Sequence, residues 1–195
     1  YGDNITLSFS TSEPIQDPTD NISVDGLTGI VVVGNDDKTE WTATGQVASN
    51  AAGMANYSIS VKDHAGNVAT PVTSTTSINL DTGPPFLSEI NLVSNNANDP
   101  DAFAKPGDNL TLSFNSTETL QTPVIILADI ASLNVTDTSI NQDGTSWSAV
   151  HFVSSGDPND NVTFSISYED IAGNEGANRT QDNSSTNSIR IDTGL

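Results

Sequence analysis

Cysteine is absent from the 195-residue sequence, and basic residues are scarce. Without disulfides, an exported protein of this composition relies for stability on a hydrophobic core, bound metal or neighbouring domains. Five Lys and Arg residues stand against 25 Asp and Glu residues, a formal net charge of −20. Such a surface repels phosphate backbones, which argues against nucleic-acid partners, and it concentrates cations around the protein.

Long apolar runs are missing as well. No stretch of the sequence is long and apolar enough for a membrane span, and no signal-peptide pattern is present. We therefore expect no direct membrane insertion by this segment. Because the sequence begins with Tyr1 and not with Met, we expect it to be a mature or excised portion of a longer protein.

What the sequence does contain is an internal repeat, the sign of tandem units. Four blocks recur in the same order: 2–9 with 107–114, 41–43 with 147–149, 58–67 with 165–174, and 78–83 with 189–194. Within the blocks, apolar residues alternate with Ser, Thr and Asn, which is typical of strands with one buried face. Trp41 and Trp147 recur at matching places and are expected to fill the two cores.

The second repeat predicts seven short strands, which suit a two-sheet sandwich. We expect strands A to G at residues 87–93, 109–115, 123–128, 132–139, 146–153, 161–168 and 186–192. The first repeat has no counterpart of residues 86–105, so its A strand is missing and one sheet edge is left open. Truncation of the domain is the simpler explanation, and donation of the strand by a neighbouring chain is the alternative.

The turn motif Asp170-Ile171-Ala172-Gly173-Asn174 and the closing Ile191-Asp192-Thr193-Gly194 carry a family resemblance, together with residues 94–98, 104–108 and 116–118. The chain resembles the immunoglobulin-like repeats of archaeal surface-layer proteins and large bacterial adhesins. The resemblance implies an all-β fold of two tandem immunoglobulin-like β-sandwich domains in a linear array, with residues 1–83 as domain 1 and 84–195 as domain 2. The layout is also similar to cadherin repeats, although the full calcium motifs of cadherins are absent.

Carboxylates are expected to converge where the two repeats meet, because alternating strands place loops at two poles. Calcium binds six to eight oxygen ligands in irregular geometry, and a chain without Cys and with only two His offers little to other common metals. The sequence therefore predicts a calcium site at the junction, with candidate ligands Asp3, Asp81, Glu118, Asp143, Asp170 and Asn174.

The outer poles repeat the acidic pattern and offer further candidate calcium ligands. These are Glu13, Asp63, Asn67, Asp99, Asp101, Asp157, Asp160 and Asp192. The alternative is that the Asp-x-Ala-Gly-Asn motif serves turn chemistry alone, with Asp accepting backbone hydrogen bonds and Gly or Asn adopting positive φ. Acidic loops can equally be a response to a salty habitat.

Nine Asn-x-Ser/Thr motifs mark candidate glycosylation sites of an exported protein. The chain is rich in Asn, Ser and Thr, so composition alone is expected to produce about half of these motifs. The candidates are Asn4, Asn21, Asn56, Asn109, Asn115, Asn134, Asn161, Asn178 and Asn183.

No catalytic pattern stands out, so we expect no enzyme. His64 falls in a turn and His151 in a strand, neither with a nucleophile pattern around it, and no phosphate loop is present. The expected function is a non-catalytic, secreted, acidic rod or lattice element of a cell-surface, cell-wall or surface-layer glycoprotein, stiffened by calcium. Its expected partners are further repeats of the parent protein, through self-assembly into a lattice or filament. The alternative is an adhesin module whose pole loops recognise glycan or protein.

Overall fold

The computed structural model describes residues 2–74, 78–129, 135–139, 142–181 and 188–194. The chain divides into two compact units, Tyr1–Gly83 and Pro84–Leu195. Over the described ranges, every regular element except the 3-10 helix Thr19–Asn21 is a strand, so the predicted all-β class is confirmed. With a helix of only three residues there, these ranges contain no helix that could cross a membrane.

The first unit is built from short antiparallel strands around a small core. Its described strands are β1 (Asn4–Ser10), β2 (Ile22–Val24), β3 (Leu27–Gly34), β4 (Glu40–Val47), β5 (Gly53–Met54), β6 (Tyr57–Ile59), β7 (Val72–Thr73) and β8 (Asn79–Leu80). One sheet has the order β1-β4-β3, a second β2-β6-β7, and β5 pairs with β8. Apolar side chains of β2, β4 and β6, such as Ile22, Ala43 and Ile59, meet between the sheets.

The second unit repeats this plan and extends it. Its described strands are β9 (Leu87–Ser94), β10 (Phe103–Ala104), β11 (Asn109–Ser116), β12 (Val124–Leu127), β13 (Val135–Asp137), β14 (Ser146–Phe152), β15 (Phe164–Ser167) and β16 (Arg190–Ile191). The main sheet has the order β13-β14-β11-β9, β12 pairs with β15, and β10 pairs in parallel with β16. These sheets enclose one continuous core that includes Leu112, Trp147 and Ile166.

The seven strands predicted for this unit all correspond to observed strands, with differences at the ends. Strands A, B and E extend to within a residue of their predicted bounds as β9, β11 and β14. Strand F is shorter than predicted, because 161–163 contribute only an isolated bridge at Asn161. Predicted residues 132–134 of strand D and 186–187 of strand G lie outside the described residues. Strand β10 was not predicted, since two residues carry no alternation.

Candidate functional site

The acidic turn after β15 is held together by its own first and last residues. The Asp170 carboxylate accepts hydrogen bonds from the Asn174 backbone N–H at 2.9 Å and from Asn174 Nδ2 at 2.8 Å. Gly173 has φ 86°, a left-handed conformation that favours glycine. Asp170 is only 1% exposed, so its carboxylate lies inside the end of the unit.

The first unit contains the same turn with the same hydrogen bonds. Asp63 accepts the backbone N–H of Asn67 at 2.8 Å and Asn67 Nδ2 at 2.7 Å, and Gly66 has φ 97°. The Asn67 side chain, followed by its backbone N–H, holds the pKa of the Asp63 carboxyl below its ordinary value. Asp63 is more exposed than Asp170, so the two turns differ in surroundings and not in internal bonding.

The loop between β11 and β12 lies against the Asp170 turn and carries a second carboxylate, Glu118. In the second unit the Gln121 N–H donates to the Glu169 carbonyl at 3.0 Å, and Gln121 Nε2 donates to the Asp170 carbonyl at 3.1 Å. Carboxylate oxygens of Glu118 and Asp170 lie within 4.8 Å of each other. The Ser116 hydroxyl donates a hydrogen bond to the Glu118 carbonyl, which fixes the loop that carries the Glu118 side chain.

The loop of the first unit is tied down in the same way. The Gln16 N–H donates to the Lys62 carbonyl at 2.9 Å, Gln16 Nε2 donates to the Asp63 carbonyl at 2.8 Å, and the Thr11 hydroxyl donates to the Glu13 carbonyl at 2.7 Å. Glu13 therefore occupies the position of Glu118. The repeated glutamine was missed by sequence reasoning, although Gln16 and Gln121 hold matching places in the repeat.

Two carboxylates at this separation repel each other, and one of them is buried. Burial and a like charge both raise the free energy of the ionised pair, whereas a nearby cation lowers it. Carboxylate oxygens are the ligands that calcium prefers, and calcium tolerates the irregular geometry of a loop. The Glu118–Asp170 pair could hold such an ion together with carbonyl or water oxygens.

The remaining junction candidates serve local turns in their own units. Asp143 Oδ1 accepts the N–H of Thr145 at 3.2 Å and its hydroxyl at 2.5 Å. Asp81 Oδ1 accepts the Gly83 N–H at 3.1 Å and is exposed. Asp3 is exposed immediately before β1, where its carbonyl accepts the Val47 N–H.

The outer candidates of the second unit are spread over several loops. Asp99 and Asp192 line one cleft of about 220 Å³. Asp192 accepts the Gly194 N–H at 3.0 Å, and Asp160 accepts the Asn161 N–H at 2.7 Å. Asp101 is exposed. Among the side chains that the structure describes in this unit, no three Asp, Glu or His groups come within 4.8 Å of one another.

Asp157 is engaged by a histidine. His151 Nε2 lies 2.6 Å from Asp157 Oδ2, and both side chains are about nine-tenths buried. Burial raises the pKa of Asp157, but hydrogen bonds from His151 and Ser154 outweigh it and bring the pKa below its ordinary value. The Ser154 hydroxyl donates to Asp157 at 3.0 Å and not to the imidazole, so this trio lacks the hydrogen bond between a nucleophile and its base. No sequence pattern predicted the pair.

A further buried carboxylate, Asp108, closes the turn before β11. It accepts Asn96 Nδ2 at 2.7 Å and the Lys105 N–H at 2.9 Å. The Lys105 N–H is the main reason that the pKa of Asp108 is lowered, against the opposite effect of burial. Asp3 holds the matching place in the first unit but is exposed.

The predicted glycosylation sites differ in accessibility. Asn4, Asn21, Asn56, Asn161 and Asn178 are exposed, whereas Asn109 is half-buried. Asn115 is also half-buried, and its amide bonds Glu89 at 2.6 Å and Ser146 at 2.8 Å, which competes with modification. Asn134 and Asn183 lie outside the described residues.

A search with protein-family models and a search of curated proteins each find no match to this chain. The candidate site is therefore defined by its own geometry.

Proposed function

We propose that the chain is a non-catalytic structural segment of an extracellular cell-surface or surface-layer protein, in which tandem immunoglobulin-like units form an acidic, calcium-stiffened rod or lattice element. The observation that carries the proposal is the duplicated hydrogen-bond scheme, in which Asp63 and Asp170 each lie beside a glutamine-anchored acidic loop. A scheme written twice in one chain favours a modular array over a single active site.

The strand order supports the immunoglobulin-like part of the proposal. In constant-type immunoglobulin domains one sheet contains strands A, B, E and D, and the other contains C, F and G. The second unit has the order β13-β14-β11-β9, which reads D-E-B-A, and β12 pairs with β15 as C with F. In the described part of the first unit, the order β3-β4-β1 matches D-E-B, and β2 pairs with β6 as C with F.

Calcium is the proposed ion, and Glu118 and Asp170 are its proposed first ligands. Asp81 is the proposed contribution of the preceding unit, on grounds of chain connectivity. Five peptide units separate Asp81 from Phe86, a reach of at most about 18 Å, and the Phe86 N–H donates to Thr117, the neighbour of Glu118. A cation bridging linker and loop would restrict motion between units, which is the mechanical property that a rod requires.

The test is a calcium titration of the whole chain by calorimetry, with melting temperature as a second readout. We expect heat of binding and a higher melting temperature for the wild type, and at least about tenfold weaker affinity for Glu118→Gln, because calcium affinity follows ligand charge. The matched control is Glu13→Gln, which alters the equivalent loop of the first unit and is expected to leave that affinity unchanged. Absence of both heat and melting shift would refute the calcium part alone.

The structural role is tested on the parent protein. We expect two-dimensional sheets or filaments by electron microscopy, dependent on calcium and lost with a chelator. Specific hits on a glycan array would instead favour the adhesin alternative.

A further inference from the structure

An aromatic side chain lies directly opposite one Asn-x-Ser/Thr motif in the main sheet of the second unit. Strands β11 and β14 pair antiparallel, with Asn109 opposite Phe152 and Thr111 opposite Val150. Directly opposite residues of such a pair point to the same face, with Cβ atoms about 4.5–5.5 Å apart, and diagonal neighbours are about 7–8 Å apart. A group attached to Asn109 is therefore within reach of both Phe152 and Val150.

The face that carries these side chains points to solvent. Leu110 and His151, which alternate with them along the two strands, are buried at 0% and 8% exposure. Phe152 is 63% exposed and Val150 is 46% exposed, so two adjacent large apolar side chains face water. Covering such a pair is favourable, because it removes apolar surface from water.

The side chain of Asn109 is free to carry an attached group. Its backbone is fixed, since the Asn109 N–H donates to Asn95 Oδ1 at 2.7 Å and the Asn109 carbonyl accepts the Asn95 N–H at 3.0 Å. Its side-chain amide makes no hydrogen bond with any residue that the structure describes. The amide of Asn115, near the other end of the same strand, is instead bonded to Glu89 and Ser146.

The first unit contains the same motif without the aromatic neighbour. Residues 4–6 read Asn-Ile-Thr and 109–111 read Asn-Leu-Thr, but the residue opposite Asn4 is Gln46. The residue opposite Asn115 on β14 is Ser146. Within the described strands, Asn109 is thus the one asparagine of an Asn-x-Ser/Thr motif that has an aromatic side chain opposite it.

We propose that Asn109 is a glycosylated residue whose first sugar packs against Phe152. The carbon–hydrogen face of a sugar ring is apolar and stacks on an aromatic ring, and the remaining hydroxyl groups stay in water. The glycan would thereby cover the apolar pair on the outer face of the sheet. This inference rests on the extracellular location in the proposed function, and it is independent of calcium.

The modification joins Asn109 Nδ2 to the anomeric carbon of a lipid-phosphate-linked oligosaccharide. The bond between that carbon and the phosphate oxygen breaks, the lipid phosphate leaves, and the amide nitrogen loses one proton to solvent. The enzyme that glycosylates exported chains makes the transfer before β11 is enclosed between β14 and β9.

Occupancy is tested by secreting the 195-residue chain from a eukaryotic host that N-glycosylates exported proteins. Glycopeptide mapping by mass spectrometry should find a glycan on Asn109 in most molecules. An unmodified Asn109 would overturn the inference, whether or not other motifs are occupied. It would leave the proposed structural role intact, because calcium binding and assembly test that role separately.

The contact with Phe152 is tested by urea unfolding after the glycans are trimmed to the first sugar. The effect of the Asn109 sugar is the ratio of unfolding constants between the chain and Asn109→Gln, corrected by the same ratio for protein from a host without N-glycosylation. We expect the sugar to lower the equilibrium constant for unfolding of the second unit by about threefold or more, as a pair of stacked aromatic side chains does. Phe152→Ser should abolish this gain.

Two controls separate stacking from other effects of a glycan. Val124 is 62% exposed on β12, outside the main sheet, so Val124→Ser should leave the gain unchanged. A sugar on Asn4, opposite Gln46, should give the first unit no comparable gain. An equal gain in Phe152→Ser, or no gain in the unaltered chain, would overturn the proposal.

Discussion

The two units share one hydrogen-bond scheme but differ in how deeply that scheme is buried. Each has a tryptophan whose indole N–H donates to a carbonyl three residues earlier, Trp41 to Lys38 at 3.2 Å and Trp147 to Gly144 at 2.9 Å. The second unit adds β9 and β10 beside this shared frame, and its matching apolar side chains become fully buried. The acidic turns are therefore formed by neighbouring residues alone, whereas burial of the core depends on the outermost strand.

The largest expected difference is in the cost of removing a matched core leucine. Leu112→Ala should destabilise the second unit by about 2–5 kcal/mol, because it leaves a cavity in a fully buried core. Leu7→Ala should destabilise the first unit clearly less, because Leu7 is only half-buried. Urea unfolding followed by tryptophan fluorescence checks this. A Trp41→Phe background leaves Trp147 to report on the second unit, and a Trp147→Phe background leaves Trp41 to report on the first. Equal costs would contradict the contrast in burial.

The second largest difference is expected in the cost of removing the aspartate of each acidic turn. Asp170→Ala should destabilise the second unit by about 1–3 kcal/mol, because it leaves the donors of Asn174 without a buried acceptor. Asp63→Ala removes the same bonds from a more exposed turn and should cost less. Chelator-treated protein is required, so that loss of metal does not enter the comparison. The same unfolding assay decides the ranking.

A smaller contrast is expected in the turns before β1 and β11. Asp108→Ala should cost about 1–2 kcal/mol, since it breaks hydrogen bonds from Asn96 and the Lys105 N–H in a buried place. Asp3→Ala, at the exposed counterpart, should fall within about 0.5 kcal/mol of wild type. An equally large loss at Asp3 would show that the two turns are closer in energy than their burial indicates.

The smallest expected effect is on the pH dependence of the stability of the second unit. The pKa of Asp157 is lowered in the folded protein, so its stabilisation is full above the ordinary Asp value of about 3.9 and is lost as pH falls through the lower folded pKa. The free energy of unfolding of the second unit should therefore fall over this acidic pH range. In Asp157→Asn it should fall by less. Melting curves between neutral and acidic pH measure it. An unchanged acid dependence in the variant would contradict the assignment.

Much of the fold follows from the sequence. Alternation in blocks such as 109–115 predicts strands, and the repeated Asp-x-Ala-Gly-Asn motif predicts a turn, because both signals are local. Prediction succeeded less well at short strands such as Phe103–Ala104, where two residues carry no period. The approach of Glu118 to Asp170 was expected only as part of a broader set of junction candidates, in which Asp3 and Asp143 were given the same weight.

The sequence by itself determined the all-β class, the duplication and the acidic turns, since periodicity, repeat and turn chemistry are written in neighbouring residues. The tertiary structure decided which carboxylates come close and that His151 bonds Asp157. It also decided that Leu7 is half-buried whereas Leu112 is fully buried. Those outcomes depend on pairing between distant strands. Two similar local patterns have different surroundings, because β9 lies beside β11, whereas β1 pairs only with β4 among the described residues.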